Sequence, residues 1–153
     1  MRFEGRHYRL RGIDSGPVSA HDIGIWVGAA GPRMLNLIGR LADGWIPSSG
    51  FMPPERLPGM HDRIDDAART SGRKPTDVRR IYNVSGMITE GDRGGFLQGP
   101  VSYWVDELTR LAVELGRDAF ILWPAAEPTS QLRRFVEEIA PEVRRAVAGH
   151  RAP

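Results

Sequence analysis

The stretch of this 153-residue chain that points most directly to chemistry is Gly28-Ala29-Ala30-Gly31. Four residues without bulky side chains follow the apolar run around Ile25-Trp26-Val27. They precede Pro32, whose fixed φ and missing N–H suit the first position of a helix. Bare amides at a helix start, with the positive end of the helix dipole behind them, bind phosphate. Arg33 adds a cation beside them. The same four residues would also make a tight turn that packs a helix onto a sheet. They do not form a G-x-G-x-x-G fingerprint, so a dinucleotide-binding Rossmann reading is poor.

Other chemistry is sparse. His7, His21, His61 and His150 are scattered without metal-ligand spacing, and there is no cysteine, so no metal site is expected. No Ser-His-Asp order or paired-carboxylate motif stands out; Asp65-Asp66 and Glu137-Glu138 read as solvated helix faces. No catalytic residue can be named. Of the 21 basic residues, only Lys74 is lysine, and the pairs Arg79-Arg80, Arg133-Arg134 and Arg144-Arg145 are interspersed with acids. With a net charge of +2, this excludes a nucleic-acid patch as the working hypothesis.

The elements that must position these residues follow from hydrophobic patterning. An apolar strand leads into the Gly28–Gly31 turn. Met34, Ile38 and Leu41 then recur at helical spacing. A second strand ends at Pro47, and Pro54 opens a helix to about Arg69, with Ile64, Ala67 and Ala68 inward. Val78 to Ile88 is a third strand, rich in β-branched and aromatic residues. Thr89 to Pro100 contains Gly91, Gly94, Gly95 and Gly99 and reads as a flexible surface loop or a lid. Trp104, Leu108, Leu111 and Leu115 mark a helix that Gly116 stops, and Ala119 to Ala125 is a fourth strand. The closing helix presents Leu132, Phe135, Val136 and Ile139. Pro141 should kink or divide it, and the tail from Gly149 should fray.

The order β-α-β-α-β-α-β-α predicts an α/β fold with parallel strands and right-handed crossovers. The chain is expected to form a single domain, 1–153, in which 1–22 is an N-terminal arm holding a short strand between Phe3 and Leu10. Composition is that of a soluble globular protein, 41% hydrophobic and 26% charged. No apolar run is long enough for a membrane helix, and the start is charged without a signal core. A cytoplasmic location is therefore expected.

Several segments together, "GRHYRLRG", "IWVGAAGPRMLNLIGRLADGWIP", "GRKP", "RRIYNVSG", "WVDELTRLAVELGRDAFILWP" and "LRRFVEEIAPEVRR", resemble the C-terminal half of the luciferase-like monooxygenase family. The resemblance implies a (β/α)4 half of a (β/α)8 TIM barrel, which typically needs about 250 residues. It implies an oxidoreductase that uses FMN or coenzyme F420, for hydride transfer or monooxygenation of a small molecule. The choice of cofactor stays open. Chemistry in such barrels sits at the C-terminal ends of the strands.

The resemblance then assigns Gly28, Ala29, Ala30, Gly31 and Arg33 to the cofactor phosphate, and Ser85 and Gly86 to the cofactor. It places Ser48 and Trp123 in the substrate pocket, where Trp123 would stack on a ring or wall the cavity; core packing is its other reading. Trp45, earlier in its strand, is expected in the core. A half-barrel would expose sheet edges and an apolar face, so a homodimer or a complementary N-terminal half-barrel chain is expected as partner. The alternatives are a catalytically inactive, self-associating half-barrel module and a truncated gene product.

Overall fold

The computed structural model describes residues 2–12 and 16–151, without the side chain of Arg151. The N-terminal arm forms an antiparallel hairpin of β1 (Arg2–Glu4) and β2 (Arg9–Arg11), exposed throughout. Expectation allowed one short strand here; the structure has two, which pair across the Gly5–Tyr8 turn.

The main sheet begins with β3 (Trp26–Val27), followed by α1 (Pro32–Leu41) and β4 (Gly44–Trp45). A short 3-10 turn leads into α2 (Leu57–Thr70), and then comes β5 (Arg79–Ile88), the long central strand. After β6 (Gln98–Gly99) come α3 (Val101–Val113), β7 (Ala119–Pro124) and α4 (Pro128–Arg134). A π turn over Phe135–Ile139 joins α4 to α5 (Ala140–Arg151). The expected break near Pro141 takes this form, a local unwinding just before a residue that lacks an N–H. Of the tail expected to fray, residues 149–151 are helical and 152–153 lie outside the described residues.

β3, β4 and β5 lie side by side in sequence order, β7 pairs with β5 along most of its length, and the short β6 pairs with the last residues of β5, all parallel. Sequential order with crossovers on one side puts every helix on one face, as in a barrel wall. Leu35, Ile38, Trp45, Ile64, Tyr82, Val84, Trp104, Leu108, Leu111 and Ile139 fill that layer, all at most 3% exposed. The other sheet face is open and mixes large apolar side chains with Asn83 and Ser85. Trp26 lies across Gly44, where a Cβ would meet its ring at 2.8 Å and Ile81 at 3.0 Å. Ile121 and Trp123 are 37% and 61% exposed on the same face.

Strand β3 spans only Trp26–Val27, shorter than its apolar run suggests. The Gly-rich loop is less free than expected. β6 pairs with Met87–Ile88, Leu97 is fully buried at φ 52°, and the Arg93 guanidinium sits 4.3 Å from the centre of the Tyr103 ring. Its apolar residues Phe96 and Leu97 dock it on β5 and α3.

Candidate functional site

The Gly28–Gly31 turn leaves the C-terminal end of β3 and becomes the N-cap of α1. Gly31 is extended (φ −69°, ψ 143°) and caps the helix with no side-chain bond. The first helical bond runs from Leu35 N–H to the Gly31 carbonyl, and Pro32 has no N–H. The amides of Arg33 and Met34 are thus the unpaired donors of the first turn. Open space lies over Gly31, where a Cβ would meet nothing within 4 Å. Gly28 has a different purpose: its absent Cβ would lie 3.0 Å from the Ile46 carbonyl, so the turn hugs β4. The turn thus packs tightly at its start and opens an uncapped helix at its end.

The turn is braced from below. Trp45 is fully buried, as expected, and its Nε1–H donates to the Ala29 carbonyl at 2.9 Å. His61 meets the Trp45 ring edge-on at 5.2 Å, and the Arg117 guanidinium lies 5.4 Å from it. Arg117 Nη2–H donates to His61 Nδ1 at 3.1 Å, which places the imidazole proton on Nε2. Burial, with Arg117 and then Arg80 as cationic neighbours, pushes His61 down to about 3. Burial, with Arg80 alongside, lowers Arg117 to about 10. His61 is therefore a neutral structural residue at physiological pH.

The remaining sequence candidates gather at the same end of the sheet. Ser48 bridges to Asn83, whose Nδ2–H donates to Ser48 Oγ at 3.1 Å. Ser49 Oγ accepts from the Ser85 N–H at 3.0 Å. Asn83 Oδ1 is buried without a partner. Trp123 stands out from the end of β7 and is not core in this chain. Gly86 is a packing glycine: a Cβ would strike the Leu97 carbonyl and the Trp104 ring at 2.1 and 2.7 Å. The Arg33 side chain lies along the outer groove between α1 and α2, with Asn36, Arg40 and Arg63.

Asn83 and Ser49 were not singled out from sequence. Period-two alternation along β5 gave the one available signal for Asn83, a polar residue on the face that Ile81 and Ser85 share. Among the described residues no group of three or more His, Asp or Glu side chains is placed to hold a metal.

Residues 1–93 match the luciferase-like monooxygenase family. The chain belongs to that family. Among curated luciferase-like relatives, the F420-dependent glucose-6-phosphate dehydrogenase of Nakamurella multipartita is 37% identical over 73 residues, 45% of this chain and 22% of its own length. The phthiodiolone/phenolphthiodiolone dimycocerosates ketoreductase of Mycobacterium tuberculosis is 39% identical over 69 residues, 45% of this chain and 18% of its own.

Solved structures extend the likeness to nearly the whole chain. An F420-dependent secondary alcohol dehydrogenase, bound to an F420-acetone adduct, has TM-score 0.74 at 13% identity, covering 94% of this chain and 56% of that one. A riboflavin lyase with modified FMN and riboflavin has TM-score 0.73 at 14% identity, covering 95% and 48%. This chain thus spans about half of each solved luciferase-like structure and a smaller share of the curated relatives. The fold is a (β/α)4 half of a TIM barrel.

Proposed function

We propose that the chain is the cofactor-holding half of a flavin- or F420-dependent oxidoreductase. The observation that carries this reading is the uncapped α1 N-terminus after Gly28–Gly31, in a member of a family whose relatives use these cofactors. The residues fit the group's phosphate. Arg33 and Met34 offer unpaired amides, Gly31 leaves room above them, and the helix dipole adds positive potential. When bound, the flavin-type ring supplies hydride transfer.

The protein's part is to bind and orient. Ser48, Ser85 and the unpaired Oδ1 of Asn83 offer polar contacts, and Trp123 offers a flat apolar wall. Trp45 holds the turn in shape through Ala29. The open face bearing Trp26, Ile121 and Trp123 is completed, in this reading, by a second copy or by a complementary N-terminal half-barrel chain. The substrate is a small molecule. A cytoplasmic setting belongs to the same proposal and rests on the absence of cysteine, which suits a reducing compartment.

Titration of the native assembly with FMN and with F420, followed by fluorescence, tests this; no binding of either would remove the proposal. The exposed apolar side chains of the open face equally support a second reading, a self-associating half-barrel without redox activity. That reading predicts a stable oligomer that takes up neither cofactor.

A further inference from the structure

The outer groove between α1 and α2 gathers cationic side chains away from the strand ends. Arg33, Asn36 and Arg40 recur on one face of α1 and meet Arg63 of α2. Together they line adjoining cavities of about 430 and 520 Å³, which share Asn36, Arg40 and Arg63. None of Arg33, Arg40 and Arg63 makes an ion pair among the described residues, although most other helix arginines do. The carboxylates in the groove are Asp62 and Asp66, and Asp66 is held by Arg69 at 3.1 Å. Three arginines thus face one uncommitted carboxylate. The groove also begins at Pro32 and Arg33, the first turn of α1, beside the proposed phosphate cradle.

We propose that this groove binds a run of carboxylates carried beyond the phosphate of the cofactor, which fits the chain to coenzyme F420 rather than FMN. The inference rests on the reading that Gly28–Gly31 holds the phosphate. From Arg33 to Arg40 the α1 backbone rises about 10 Å, the length of about three extended residues. A carboxylate tail leaving the cradle meets Arg33 first, then Asn36, then the Arg40–Arg63 pair. FMN ends at its phosphate monoester and has nothing to place there. The contacts are solvent-exposed, so they add affinity modestly and weaken with salt.

The test compares F420 and FMN binding to the native assembly and to an Arg40→Glu/Arg63→Glu variant, neither residue being part of the cradle. The expected result is an F420 affinity roughly ten-fold lower in the variant at low salt, converging with wild type at high salt, and an unchanged FMN affinity. Equal loss for both cofactors, or no loss for F420, overturns the groove assignment while leaving the cradle standing. If wild type binds neither cofactor, the function proposed above fails instead. The groove is then decided by NMR with tetraglutamate as probe. Salt-sensitive shifts confined to Asn36, Arg40 and Arg63 support it, and their absence overturns it. Melting curves of the variant guard against a folding defect.

Discussion

Two glycines in neighbouring helices make opposite predictions. Gly39 lies on α1 where that helix presses on α2. A Cβ there would sit 2.2 Å from the Ile64 carbonyl, 2.8 Å from Ala67 Cβ and 2.9 Å from Ala68 N. All three obstacles belong to the backbone or to a Cβ, so no side chain can rotate away. Gly39→Ala gains about 1 kcal/mol of helix propensity. Against this stands a separation of the two helices by an ångström or more, over the buried Leu35, Ile38 and Ile64. Overpacking of this kind costs about 1–3 kcal/mol, and contact with backbone puts it at or beyond the upper end. The net loss is about 2 kcal/mol, and with about 2–4 °C per kcal/mol for a chain of this size the melting midpoint drops by about 4–8 °C.

Gly59, in the first turn of α2, would place its Cβ in open space. Gly59→Ala therefore keeps the propensity gain of about 0.5–1 kcal/mol and raises the midpoint by about 1–4 °C. Thermal melts of both variants and wild type, read by circular dichroism on the native assembly, supply the comparison. A Gly39→Ala protein as stable as wild type would refute the close helix approach on which the α1–α2 layer is built.

Gln131 grips the end of β5, its Oε1 accepting from the Ile88 N–H at 2.7 Å and its Nε2–H donating to the Ile88 carbonyl at 3.0 Å. Gln131→Leu leaves both buried groups unpaired and should cost about 2–4 kcal/mol in urea unfolding, against near-neutrality if water replaces the amide. Trp45→Phe removes the donor to Ala29 and should speed amide exchange at Leu35, whose N–H bonds to the Gly31 carbonyl at the end of the turn, at a stability cost of about 1–3 kcal/mol; unchanged exchange would show that the turn needs no brace. Burial, with Arg117 and then Arg80 as cationic neighbours, lowers His61 to about 3, while the unfolded chain protonates it near 6.5. Asp65 and Asp118 face the same cluster and partly offset these arginines. Between those pH values the unfolded state binds the extra proton, so stability falls on acidification by up to about 1.4 kcal/mol per pH unit. His61→Gln removes that component, and identical pH slopes for the two proteins would contradict the assignment.

The alternation of elements was legible because each helix carries a clean stripe, as at Trp104, Leu108 and Leu111, and because β5 is dense in β-branched and aromatic residues. The Gly28–Gly31 turn was legible as a junction, since small residues and then proline mark a strand end and a helix start. What lay outside local pattern was missed. β6 exists because Gln98–Gly99 reaches back to Met87–Ile88, a pairing set by the docking of Leu97 rather than by propensity. The partnership of Asn83 with Ser48 joins residues 35 apart in sequence. Gly86 carries no mark to separate a ligand-facing glycine from one that a crossing loop requires. The open face was foreseen from strand count, but the placing of Trp26 over Gly44 depends on register.

Among the described residues, the Gly28–Gly31 turn is shaped by the Ile46 carbonyl below Gly28, the Trp45 indole under Ala29, and the His61–Arg117 pair beneath that ring. The turn is therefore portable. In the proposed reading, the segment joined to a different first half, or duplicated against itself, carries a backbone already set for an anion, and a new partner supplies what faces the sheet's open side. On that proposal a half-barrel is a workable unit of gene fusion and exchange, with the phosphate handle inherited whole and the chemistry above it free to change.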